Sequence, residues 1–197
     1  MTHRIAARLV PACALVACAL AHAHSGGSAG LFDAWLHPLT GADHFVAMVA
    51  VGAWSAQLGG RAVWAVPGAF LLAMLTGGVV GFSLIDLPGV EIGVALSVLL
   101  LGGAIAFGGH LATPLAAAAV GVFGFCHGYL HGYELTVVDQ RALATLAFMS
   151  TTALLHVAGL AAAHLALQRP AGARLLKISG GLAAAFGAWL VASRLLA

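Results

Sequence analysis

The chain has 197 residues, 62% of them hydrophobic and 7% charged, with a net charge of +2 and a mean hydropathy of +1.05. A soluble domain carries about a quarter of its residues as charged side chains, so this chain cannot cover a water-facing surface and reads as an integral membrane protein. Its 8 basic residues form no stripe and flank no aromatic platform, which excludes nucleic acid as a partner.

The N-terminus carries the three parts of a secretory signal: Arg4 and Arg8, then the apolar run "LVPACALVACAL", then the small-residue site "AHA" at 21–23. Cleavage after Ala23 removes residues 1–23 as a signal peptide and leaves His24 at the mature N-terminus, beyond the membrane. "LVAC", ending at Cys18, also has the form of a lipid-attachment box, and both processing routes stay open. Signal removal takes Cys13 and Cys18 with it. Cys126 is then the one cysteine left, so neither an intrachain disulfide nor a thiolate-rich metal site can form.

Six apolar segments follow, at about 38–58, 62–84, 89–108, 112–132, 141–166 and 174–196. Each is near the ~20 residues that span a bilayer as helix. The predicted fold is all-α, a polytopic membrane helix bundle in which residues 24–197 form a single six-helix transmembrane domain. The breaks are "GGR" at 59–61, "DLPG" at 86–89, "GGHLATP" at 108–114, "YELTVVDQR" at 133–141 and "QRPAGAR" at 168–174. Arg61, Arg169, Arg174 and Lys177 fall on one side and Arg141 and Arg194 on the other, so the positive-inside bias places both mature termini in the periplasm. In the fourth segment Gly121, Gly124, Gly128 and Gly132 recur at helical spacing, a smooth face that lets another helix come close. "GGVVG" at 77–81 suggests the same for the second.

The chemistry concentrates in two stretches. The first segment opens with "HPLTGADH": His37 and His44 are seven apart, close to two helical turns, and so share a face, with Pro38 suited to the helix's first turn. Asp43 points elsewhere and can ligate a metal, orient an imidazole, or carry compensating charge. The fourth segment ends in "FCHGYLHGYE", where His127 and His131 stack on one face and Glu134 continues it. Topology brings the start of the first segment and the end of the fourth to the same side of the membrane. Two imidazole pairs with two carboxylates are ligands for a borderline divalent ion, Ni²⁺, Cu²⁺, Co²⁺ or Zn²⁺. His156, midway along the fifth segment, Glu91, at the start of the third, and His24, through its free amine and imidazole, are further candidates.

These motifs resemble those of the HupE/UreJ family: "HPLTGADH" is similar to its His-x5-Asp-His signature and "FCHGYLHGYE" to its His-Gly-x-x-His-Gly-x-Glu signature. "PGVEIGVALSVLLLG" and "ALLHVAGL" look like family segments too. Leu130 departs from the pattern, which has a small residue before the second histidine. The resemblance implies a bacterial inner-membrane permease for Ni²⁺, with Co²⁺ as another cargo, serving hydrogenase or urease maturation proteins. It places His37, Asp43, His44, His127, His131 and Glu134 on the metal path.

The lone lysine, Lys177, precedes Ile178, so the chain holds no phosphate-binding loop. An inside-negative potential drives cation entry by about 2.3 kcal/mol per charge per 100 mV, which makes facilitated diffusion sufficient and requires no cofactor. A different class is an intramembrane metal-dependent hydrolase, with Glu134 or Asp43 as base. A third is an assembly partner of the maturation machinery, although the long inner loops such a partner would use are missing.

Overall fold

A computed structural model describes residues 31–108, 110–137 and 140–196. The expected signal peptide and cleavage site, Cys18 and His24 lie outside the described residues. Seven α-helices and one 3-10 turn follow in order: α1 Leu31–Thr40, α2 Ala42–Leu58, α3 Ala62–Gly81, α4 Val90–Phe107, α5 Thr113–Glu134, the turn Leu135–Val137, α6 Arg141–Leu167 and α7 Gly172–Leu195. No strand occurs among the described residues. Helices α3 to α7 are each long and apolar enough to cross a membrane. Their outward faces carry large apolar side chains such as Trp64, Leu72, Leu115, Leu146 and Trp189 in exposed positions, a surface matched to lipid rather than water.

The expected first segment is not one helix. Pro38 sits in the last turn of α1, not the first turn of a span, and Gly41 interrupts the helix with an extended backbone (φ −77°, ψ 111°). Proline removes a helical N–H and glycine is among the weakest helix formers, so the pair makes a natural break. The chain bridges it with Gly41 N–H donating to the His37 carbonyl (3.0 Å) and Phe45 N–H donating to the Gly41 carbonyl (2.8 Å). Beyond the break α2 has 17 residues, a length of about 26 Å.

Glycine sets how the helices pair. A methyl placed on Gly124, Gly128 or Gly132 of α5 would run into the backbone carbonyls of Phe70, Met74 and Gly78 on α3, and one on Gly77 or Gly81 into those of Phe125 and Tyr129. The two helices therefore touch backbone to backbone, and the register rises together along both, so they run parallel. Gly121 differs: its nearest neighbour would be the Ala73 methyl at 3.9 Å, an ordinary contact. Gly102 and Gly187 lock α4 against α7 in the same manner, and Gly52 and Gly159 lock α2 against α6. Short connections reverse the chain between successive helices; the first uses Gly59 and Gly60, both at positive φ. The start of α2, the end of α5, the start of α6 and the end of α7 consequently meet at one end of the bundle.

Candidate metal centre

Helix α5 supplies the first half of the site. His127 and His131 stack one turn apart on the face beside the glycine stripe, and both are buried. The helix continues to Glu134, whose half-exposed carboxylate lies 3.0 Å from His131 Nδ1. Three residues with the same spacing as a helical repeat thus keep the common face expected for them.

The break at Gly41 supplies the second half. His37 precedes it and His44 follows it, so their shared face does not come from two turns of continuous helix. The bend itself brings the rings together, 6.0 Å between centroids. His44 is then 4.7 Å from His127 and 4.4 Å from His131, while His37 is 4.9 Å from His131. Four imidazoles from three helices form one cluster, packed against Phe70 of α3 and Phe148 of α6. The donor atoms of His37, His131 and Glu134 all lie within 4.8 Å of one another. An ion holds its donors at about 2.1 Å and so at most about 4.2 Å apart; a small contraction would close this trio around one.

Hydrogen bonds fix which nitrogen each ring presents. Asp43 Oδ1 accepts from His44 Nδ1 (2.8 Å) and from the His44 backbone N–H (2.9 Å). The Phe123 carbonyl accepts from His127 Nδ1 (2.9 Å), and Glu134 Oε2 accepts from His131 Nδ1 (3.0 Å). A carbonyl or carboxylate only accepts, so Nδ1 carries the proton in each ring and Nε2 keeps its lone pair. In all three rings that Nε2 is buried and without a hydrogen-bond partner. A lone pair removed from water and left unpaired costs about 1–3 kcal/mol; three such nitrogens on neighbouring rings are poorly explained by packing and well explained by an electrophile moving among them. The carboxylate-backed histidine is also the arrangement that stiffens metal ligands and raises their basicity.

Asp43 is therefore occupied on both oxygens. Oδ2 accepts from Arg194 Nη2 (3.2 Å), and Arg194 Nη1 donates to Glu91 Oε2 (2.9 Å). Of the roles left open by sequence, the geometry favours orientation of His44 over direct ligation. Glu91 stays apart from the imidazoles, exposed and bound to Arg194. Arg194 was not singled out by sequence reasoning: it sits in the last turn of the last helix, 151 positions from Asp43, and no local motif marks it. His156 lies in α6, buried, and its ring contacts Phe70, which also contacts His127 (His156–Phe70 5.0 Å, Phe70–His127 5.4 Å). Leu130, the departure from the family pattern, lines a separate cavity of about 400 Å³ with Asp86, Glu91, Tyr129 and Arg194. Cys126 packs toward Gly93 of α4 rather than the cluster.

A family model described as HupE / UreJ protein matches residues 10–190. A curated relative, "Protein HupE" of Rhizobium leguminosarum bv. viciae, is 42% identical over 179 residues, covering 90% of this chain and 93% of the relative. No solved structure matches.

Proposed function

The chain belongs to the HupE/UreJ family, and from that premise we propose that it is an inner-membrane permease for divalent nickel, serving hydrogenase or urease maturation. The observation that carries the proposal is the convergence of three buried imidazoles with bare Nε2 atoms, contributed by two helices, at one end of a membrane bundle. Nitrogen and oxygen donors without thiolate suit Ni²⁺, and also Co²⁺. The end bearing the cluster faces the periplasm in this account, with α2 completing a sixth span and both mature termini outside.

His37, His131 and Glu134 receive the ion at the mouth, where Glu134 is half exposed. The ion then moves inward to His44 and His127. Asp43 holds the His44 ring with its Nε2 toward the ion, and Arg194 holds Asp43. Neutral imidazoles contribute no fixed charge, so occupancy stays moderate and release remains feasible. The membrane potential supplies about 4.6 kcal/mol for a divalent ion at 100 mV, and no nucleotide is needed. A hydrolase is poorly supported, because the cavity that touches His131 is about 20 Å³. That volume admits a water, not a lipid or peptide.

The test is ⁶³Ni²⁺ uptake by proteoliposomes containing the wild type, Asp43→Asn or His127→Ala. The wild type accumulates nickel above empty vesicles and both variants lose most of that uptake. A wild type indistinguishable from empty vesicles would defeat the permease, and fully active variants would defeat this path.

A further inference from the structure

The imidazole file does not stop at His127. Phe70 of α3, fully buried, packs against the His127 ring at 5.4 Å and stands edge-on to the His156 ring at 5.0 Å. His156 is 2% exposed, and neither of its ring nitrogens has a hydrogen-bond partner. The other buried imidazoles each commit Nδ1 to an oxygen; this one commits nothing. A histidine kept only for structure would bond at least one nitrogen, and an apolar residue of similar size would fill the space without desolvating either. Its neighbour one turn back, Thr152, gives its hydroxyl hydrogen to the Phe148 carbonyl instead.

Depth gives the ring a place on the path. Phe148 packs against His131 and His37, marking the level of the outer cluster on α6. His156 is eight residues further along the same unbroken helix, about 12 Å deeper. At that position α2 crosses α6 so closely that a methyl on Gly52 would strike the His156 carbonyl. The backbone here has no freedom to shift.

We propose that His156 is a second, deeper station for the transported divalent transition ion, next to the imidazole cluster along the shared Phe70 ring. This rests on the permease reading. A lone imidazole is a weak holder of a partly hydrated cation, as a station that must pass its ion onward has to be.

The experiment pairs ⁶³Ni²⁺ uptake in proteoliposomes with equilibrium ⁶³Ni²⁺ binding by the purified full-length protein in detergent. In His156→Leu, initial uptake falls by about tenfold or more while binding stays within about twofold of wild type, because the outer cluster is untouched. Retained binding also shows that the variant is folded. A His156→Leu protein that transports like the wild type, or that loses binding in step with uptake, overturns the station. Wild-type vesicles that take up nothing overturn the permease reading itself, an outcome separate from failure of the station.

Discussion

Asp43 and Arg194, 151 positions apart in the chain, meet at 3.2 Å, and Asp43 passes that contact on to His44 at 2.8 Å. The last helix of the bundle thereby holds the carboxylate that orients an imidazole at the start of the first long one. Arg194 also reaches Glu91 on α4, so one guanidinium ties three helices at the end where the cluster opens. Replacing it with alanine frees Asp43 to turn toward solvent or toward an incoming ion. Arg194→Ala should lower initial nickel uptake by about tenfold, the usual cost of losing an outer hydrogen-bond partner of a metal ligand. Arg194→Lys should recover only part of it, since an ammonium cannot hold two carboxylates in a fixed fork. Initial rates in proteoliposomes give the answer, and an Arg194→Ala protein as fast as wild type would remove Arg194 from the account.

The two carboxylates that back histidines differ in their surroundings. Asp43 is mostly buried, whereas the Glu134 side chain is 51% exposed and has water to replace its bond to His131. Asp43→Asn should therefore weaken nickel binding by about 10- to 100-fold, and Glu134→Gln by clearly less. Equilibrium binding isotherms rank the two; the opposite order would make Glu134, not Asp43, the main support of the cluster.

Helix spacing offers a test that touches no ligand. A methyl at Gly128 has nowhere to go but into the Met74 carbonyl, whereas one at Gly121 meets only an ordinary contact. Gly128→Ala should destabilise the protein by about 1–3 kcal/mol and push His127 and His131 out of position, with uptake falling in parallel. Gly121→Ala should match wild type in both. Thermal unfolding followed in detergent, together with uptake, separates them.

The driving force can be varied directly. Facilitated diffusion of a divalent ion predicts that an inside-negative potential of 100 mV raises equilibrium accumulation by more than about three powers of ten. A potassium diffusion potential set with valinomycin provides it without ATP. Accumulation that ignores the potential would point to electroneutral exchange instead.

Much of this was legible in the sequence. His127, His131 and Glu134 lie on one uninterrupted helix, where spacing converts directly into a face. The α5 glycines announced the close approach to α3, although Gly121 proved to stand outside it. His37 and His44 come together by a route their spacing does not imply: seven residues match two helical turns, whereas the bend at Gly41 joins the rings, and the Pro38–Gly41 pair is its local signal. Arg194 and Phe70 could not be found that way. Their roles exist only through contacts between helices distant in sequence, and neither residue type at its position carries a local signature.

The central claim is that the clustered imidazoles of His37, His44, His127 and His131 supply the ion's ligands. X-ray absorption at the nickel edge of the loaded, purified protein tests it most directly. The account predicts a shell of nitrogen and oxygen with the outer scattering of imidazole, weakened in His127→Ala and free of sulfur. A shell of water oxygens alone, or one containing the Cys126 sulfur, would contradict it.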